Sequence, residues 1–343
     1  MRVLMYYNNS DVRVEEMPVP KIGPGELLVK VHATGICGSD VMEWYRIKKA
    51  PRVLGHEITG EIVEVGEGVE KYKLGDRVFV SHHVPCNVCG YCLNGYHTAC
   101  ETLHSTNYDP GGFAEYIRIP SINVESGVYI LPDSMSYEEG TFIEPLACVA
   151  RGQRLARLRP GQTVMVIGSG ISGLIHISLA KALGAGKIIA TDITDFRLDA
   201  AKRFGADVVI NAADDVQKRI LEANGNRLAN LVIVCAGALS ASIEALKYVD
   251  RGGTVLYFAV PRPEESVPLP INDLWRNEIK LMTSYGAGPF DLDIAIKLLS
   301  NRRVVLNDMI THRLDFDEGS RGFQLVAGAK DSIKVIFEPN KSK

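Results

Sequence analysis

Residues 163–191 carry the pattern that most narrows the fold. A short apolar run, Thr163-Val-Met-Val-Ile167, leads into Gly168-Ser-Gly170-Ile171-Ser-Gly173. An apolar stretch follows that ends at Gly184, and then a second short run over 187–191. A run of five apolar or β-branched residues closed by glycine reads as a buried strand, and the longer stretch after it as a helix. Glycines at this spacing suit a strand–turn–helix. The first makes the turn, the second lets backbone approach a pyrophosphate, and the third lets the helix pack on the strand. Ile171 opens the helix, whose free N–H groups would face that anion.

The alternation continues. Helices are expected over 171–183, 196–204, 216–223 and 240–249, and strands over 208–210, 231–234, 254–258 and 279–283. Short apolar strands alternating with helices predict an α/β domain with a doubly wound parallel sheet covered on both faces. Six strands complete a dinucleotide-binding Rossmann fold, expected over 144–285. The second strand ends at Asp192, 24 residues past Gly168. A carboxylate there accepts from ribose hydroxyls and repels a 2′-phosphate, which favours NAD over NADP. Arg197 is the counterweight: it could bind a phosphate, or be a solvated helix residue. Cys235 and Phe258, at the carboxyl ends of the fourth and fifth strands, are expected to line the cofactor side. Cys235 reads as a small buried residue rather than a reactive thiol.

The chain before this region reads differently. Residues 26–32 and 59–65 alternate apolar with polar or small residues, between Gly23-Pro24-Gly25 and Gly66-Glu67-Gly68. That is the signature of half-buried antiparallel strands. After Gly286-Ala-Gly288-Pro289 the chain offers a helix (292–299), a strand (309–313), a helix (319–326) and a last strand (333–337). This tail is too short for a core of its own, so it is expected to join residues 1–143 in one strand-rich domain with 286–343.

Four of the seven cysteines fall in Cys86-x2-Cys89-x2-Cys92-x7-Cys100. The amino-terminal segment lacks the apolar core of a secretion signal, so metal ligation outweighs disulfides. Four thiolates satisfy zinc in a closed tetrahedron, which makes this a structural site; iron–sulfur runs are spaced differently. His82, His83 and His97 lie nearby but are not needed to complete that shell. Cys37 and His56 stand apart, each beside glycines, with Glu57 and Glu144 as further donors. Three or four mixed ligands make the open kind of site that catalysis uses. A lone cysteine or histidine is weak evidence, being more often a packed core residue.

The set Cys37-Gly-Ser39-Asp40, Gly55-His56-Glu57, the four-cysteine run, Gly112-Phe-Ala-Glu115-Tyr and Glu144-Pro145-Leu146, in this order along nearly the whole chain, resembles the zinc-containing medium-chain dehydrogenase/reductase superfamily. Within it the chain is similar to the sorbitol, threonine and galactitol-phosphate dehydrogenase branch. The resemblance implies a GroES-like catalytic domain beside the Rossmann domain, and two zinc ions per chain. It implies Cys37, His56 and Glu57 as catalytic zinc ligands and Glu144 as an exchangeable one. Ser39 would relay the alcohol proton, and Asp40 would support the metal site. Relatives are dimers or tetramers, so a homo-oligomer, most simply a homotetramer, is expected. The pattern departs at Met42, where many members have a histidine that ends the proton relay. His32, Glu57, Glu144 or a water chain are the alternatives.

These readings together predict hydride transfer from a secondary alcohol of a polyol, sugar acid or sugar phosphate to NAD. L-threonine or a simple alcohol is the alternative substrate. A non-catalytic zinc- and NAD-binding structural or sensor protein is the alternative class. Trp44-Tyr-Arg46-Ile-Lys48-Lys49 offers cations to an anionic substrate, although a solvated surface loop is the simpler reading, and Arg276 is equally ambiguous. The formal charge is −3, with 38 basic and 41 acidic residues, which gives no drive toward nucleic acid. No apolar run approaches the ~20 residues of a membrane span. A cytoplasmic protein acting on a small molecule is expected.

Overall fold

The computed structural model describes residues 1–340. The chain forms two compact units, Met1–Ala147 with Ala287–Lys343, and Cys148–Gly286. Helix Ile143–Leu155 begins in the first and continues into the second.

In the first unit a seven-stranded sheet runs in the order Ile310–Leu314, Lys334–Phe337, Leu27–Gly35, Glu57–Val65, Arg77–Val80, Val128–Ile130, with Tyr116–Ile119 also on Leu27–Gly35. The tail strand Lys334–Phe337 therefore lies antiparallel against Leu27–Gly35. A smaller sheet joins Arg2–Asn8 to Asp11–Glu16 and to Arg52–Val53. Val29, Val31, Ile58, Ile62, Val78, Phe113, Phe323 and Phe337 are buried together. The two long strands differ from the half-buried pattern expected of them. Leu27–Gly35 is buried along most of its length, as are the first residues of Glu57–Val65. The reason is small residues at the crossing. A Cβ on Gly60 would run into the carbonyl of Lys30, and one on Gly35 into Glu57 and Lys334. Their absence lets strands and tail close on both faces.

The second unit holds a six-stranded parallel sheet in the order Val208–Asn211, Lys187–Asp192, Thr163–Ile167, Ala229–Val234, Val249–Tyr257, Lys280–Thr283. Helices cover it, and Met165, Ile189, Val232, Ala245 and Val255 form its core. The fifth strand begins earlier than the expected 254. Ala229 pairs with Val249, and the register then jumps to Leu231 opposite Thr254. The residues between, Asp250-Arg-Gly-Gly253, bulge out, with Gly252 at φ +69°, and a bulge hides from an apolar-run criterion. Among the described residues no helix is long and apolar enough to cross a membrane.

Candidate metal centres and dinucleotide site

Two groups of metal-competent side chains form in the first unit. Cys86, Cys89, Cys92 and Cys100 have their sulfurs within 4.8 Å of one another. The closest pairs are Cys89–Cys92 at 3.5 Å and Cys86–Cys100 at 3.6 Å. Zn–S bonds of about 2.3 Å in a tetrahedron separate the sulfurs by about 3.8 Å, so the lobe is already near that shape. The Cys86 N–H points at the Cys100 sulfur (3.4 Å) and the Cys89 N–H at the Cys86 sulfur (3.3 Å). Burial foremost, then the neighbouring thiols, push the Cys92 thiol up to about 12. A divalent cation removes that penalty, so the chemistry of the donor set fits zinc. All seven cysteines are free thiols.

The second group is Cys37, His56 and Glu57, with one donor atom from each within 4.8 Å of the others. Its position depends on two glycine-rich stretches that clasp each other. Gly112 N–H donates to Gly55 O at 3.0 Å, and Phe113 N–H to Leu54 O at 2.9 Å. Gly55 has φ +93°, and a Cβ there would stand 2.8 Å from Phe113. Gly112 could not carry one either, because Ile58 and the Gly55 backbone fill the space. Gly112-Phe-Ala-Glu115 thus fixes the loop that presents His56. Its Glu115 serves structure, accepting from the backbone N–H and the Nε of Arg2.

Asp40 is 0% exposed. Its Oδ2 accepts from Cys37 N–H at 3.1 Å, and its Oδ1 lies 3.5 Å from both His56 Nδ1 and Arg46 Nη2. Burial opposes its charge, but His56, Arg46 and the Cys37 N–H hold its carboxyl below the usual range. Asp40 in turn fixes which way the His56 ring faces. Burial alone would lower the His56 pKa, yet Asp40 and Cys37 outweigh it and raise it. The buried hydroxyl of Tyr108 senses the whole site. Burial raises its pKa first, and then the charges of Asp40, Glu144 and Glu57. Glu144 stands in the first turn of helix Ile143–Leu155.

Four neighbours of this site are not evident from spacing. Lys334 is 1% exposed and pairs with Glu57. Tyr108 O–H reaches Gly55 O at 3.5 Å. The ring of His82 lies 4.9 Å from that of His56 and 3.8 Å from that of His83. Burial, foremost, holds the His82 pKa well below its ordinary value, and its buried Nδ1 has no hydrogen-bond partner. The fourth, Arg46, corrects an expectation. Its segment does not simply form a solvated loop: the guanidinium folds back onto Ser39, donating from Nε to Ser39 O at 2.9 Å and from Nη2 to Ser39 Oγ at 3.1 Å. Of the residues considered in place of the missing histidine, His32 stacks on Tyr137 with ring centres 4.3 Å apart, and Glu57 is paired with Lys334.

In the second unit Gly168 turns at φ +91°. A Cβ on Gly173 would collide with Gly168 O, so the helix Ile171–Ala182 packs directly on the turn. Gly170 caps that helix without a side chain; the cradle a Cβ would fill suits a pyrophosphate. Asp192 is 6% exposed. Its Oδ2 accepts from Ser169 N–H at 2.9 Å, and its Oδ1 from Ile193 N–H at 2.8 Å and Thr194 N–H at 3.1 Å. Arg197 Nη1 stands 3.8 Å from Asp192 and the guanidinium within 4 Å of where a Gly170 Cβ would be. Cys235 follows strand Ala229–Val234, and burial raises its thiol far above the usual range. Phe258 sets its ring edge-on to His176 at 4.6 Å.

The chain is similar to known proteins along nearly its whole length. Residues 23–129 match the alcohol dehydrogenase GroES-like domain and residues 172–301 the zinc-binding dehydrogenase family. The chain is 33% identical to sorbitol dehydrogenase of Bacillus subtilis (strain 168), over 99% of this chain and 98% of that one. It is 35% identical to a protein of Neosartorya fischeri named "Probable D-xylulose reductase A", over 95% of this chain and 93% of that one. Its structure is similar to that of a "putative zinc-binding dehydrogenase" from Sinorhizobium meliloti 1021 bound to NADP, with TM-score 0.87, 27% identity and coverage of 98% and 99%. It is also similar to a short chain alcohol dehydrogenase from E. coli CFT073 complexed with NADH, with TM-score 0.88, 28% identity and coverage of 98% and 99%.

Proposed function

The chain belongs to the zinc-containing medium-chain dehydrogenase/reductase superfamily, in its sorbitol dehydrogenase-like branch, and on that premise we propose that it oxidises a secondary alcohol of a polyol, sugar acid or sugar phosphate with NAD. The observation that carries this reading is the gathering of Cys37, His56 and Glu57 within 4.8 Å, beside a serine hydroxyl. Sulfur, nitrogen and one carboxylate suit a zinc that keeps a position open for substrate.

When bound, zinc supplies a Lewis acid for the alcohol oxygen and the dinucleotide an acceptor for hydride. The chain's own residues do the rest. Cys37 and His56 hold the metal, and Asp40 orients His56 from behind. Glu57 is held by Lys334 and is available as a further ligand, as is Glu144. Ser39 Oγ accepts from Arg46, so its own O–H is directed elsewhere, to the alcohol or to a water that takes the proton on. The lobe of Cys86, Cys89, Cys92 and Cys100 holds a second, structural zinc.

Asp192 supports NAD over NADP, since a 2′-phosphate would stand against its carboxylate and the nearest cation, Arg197, is already turned to it. Cysteines gathered as a metal-ligand cluster suit a reducing, cytoplasmic setting.

The test is a panel of alditols, aldonates, phosphorylated alditols, L-threonine and simple alcohols, read as NAD reduction by zinc-loaded enzyme of measured metal content. Two zincs per chain and turnover on a member of the sugar-derived classes are expected. One zinc and no turnover on any alcohol would overturn the reading. Asp192→Ala is expected to narrow the preference for NAD over NADP.

A further inference from the structure

Arg46 has more hydrogen-bonding capacity than the protein uses. A guanidinium carries five N–H donors in one plane. Here Nε serves Ser39 O, and Nη2 serves Ser39 Oγ at 3.1 Å while leaning toward Asp40 Oδ1 at 3.5 Å. Among the described residues no acceptor meets Nη1. The side chain is nonetheless 17% exposed, drawn in against the site, with its Cζ 4.9 Å from the ring centre of Tyr45.

Its placement is built. Asn9 N–H donates to Glu43 Oε1 at 2.9 Å, and Asn9 Nδ2 to Val41 O at 2.8 Å. Tyr45 and Arg46 both donate their N–H to Met42 O. The short helix Glu43–Arg46 is thereby tied to the turn that follows the strand Arg2–Asn8. Asp40 compensates the Arg46 charge only in part, because the same Oδ1 is shared with His56 at an equal 3.5 Å. Residues 46–52, Arg-Ile-Lys-Lys-Ala-Pro-Arg, hold four cations and no acid. The local field therefore favours an anion.

We propose that Arg46 is a specificity-determining residue that reads a carboxylate on the substrate, one or two carbons from the reacting carbinol. The substrate is then a hydroxy acid of the sugar-acid type rather than a neutral alditol. Nη1 and Nη2 share one plane, so an acceptor for Nη1 lies close to whatever oxygen Ser39 holds. With Nη1 and the second N–H of Nη2, which meets Asp40 Oδ1 only at 3.5 Å, the planar fork matches a carboxylate in two-bond geometry. A neutral hydroxyl would accept one of those bonds and leave the charge uncompensated. This inference rests on the dehydrogenase reading and narrows its substrate class.

The experiment compares matched pairs that differ only by COO⁻ in place of CH2OH, aldonates against their alditols, with sorbitol 6-phosphate as a third arm. Zinc-loaded wild type, Arg46→Gln and Arg46→Lys are each assayed with NAD. Charge-assisted bonds of this kind predict that Arg46→Gln raises KM for the aldonate about 30-fold more than KM for the alditol, with Arg46→Lys between. A merely structural arginine would move both substrates alike, and that result overturns the proposal. So does an alditol that wild type prefers to its aldonate, or an Arg46 dependence found for the phosphate ester and not the aldonate. If no alcohol is oxidised, the dehydrogenase reading fails separately, and calorimetric binding of gluconate still decides. At least about tenfold weaker binding to Arg46→Gln is expected, and equal binding overturns the assignment.

Discussion

Lys334 and Glu57 are matched charges inside the first unit, each about 1% exposed. Removing one partner of such a pair strands the other, at a cost of about 3–5 kcal/mol. Glu57, however, also belongs to the donor group of Cys37 and His56. Lys334→Met should therefore destabilise the metal-free protein by about that amount and the zinc-loaded protein by less, because the cation replaces the ammonium. Urea unfolding with and without zinc reads the difference. Equal losses in both states would mean that Glu57 does not face the metal. His176 gives a second residue-scale prediction. It is 0% exposed, and burial lowers its pKa to about 3. Gln153 Nε2 lies 3.1 Å from Nδ1, which puts the neutral ring's proton on Nε2. Below the ordinary value near 6.5 the unfolded chain takes a proton that the folded chain refuses. Stability is full above that pH and falls by about 1.4 kcal/mol per unit as pH drops toward 3. His176→Gln should be less sensitive to acid, losing about 2 kcal/mol less than wild type between pH 7 and pH 5. Parallel losses would refute the assignment.

The four-cysteine loop has little apolar packing of its own, and on the proposed function it depends on zinc. Its own apolar cluster is little more than Cys92, Cys100 and Leu103, with Cys86 and Cys89 at the margin. Val88 and Leu93 are each 75% exposed. Cys100→Ser should lower zinc content from two per chain to one and raise amide exchange across residues 86–105, while the sheet strands keep their protection. Exchange that stays slow in the loop would mean that side-chain packing suffices. This element was legible in the sequence because its chemistry is local. The same holds for the glycine turn before Ile171–Ala182 and for the short apolar strands of the parallel sheet, where spacing and period carry the information. Arg46, Lys334, Tyr108 and His82 were not legible in this way. Lys334 meets Glu57 across 277 residues, and Tyr108 reaches Gly55 across 53. A strand pattern places a lysine in a strand but does not name the carboxylate waiting for it. Arg46 is close to Ser39 in sequence, yet a helical turn and the Asn9 bonds decide that it folds inward.

At the scale of the whole molecule, the parallel sheet ends in an open edge. Strand Lys280–Thr283 ends the parallel sheet, and among the described residues no strand pairs with its outer edge. Such an edge is a row of unmet N–H and C=O groups. The helix just before it, Ile271–Arg276, exposes Ile271 at 63% and Trp275 at 79%. Leu269 and Leu274 line an adjoining groove of about 810 Å³. Tryptophan and isoleucine lose favourable burial when left in water, and a sheet edge beside them supplies directional bonds. A second copy related by a two-fold axis answers both needs, because the edge strand can pair with itself and the apolar side chains can meet across the axis. The chain is therefore expected to sediment as a dimer or, through a further contact, a tetramer. Trp275→Glu should weaken that association at least about 30-fold, the effect of losing an anchor worth about 2 kcal/mol or more, with an unchanged far-ultraviolet spectrum and full zinc content. Sedimentation velocity across a dilution series checks it. A wild-type monomer at micromolar concentration would sink the idea, and so would a Trp275→Glu protein whose association is undiminished.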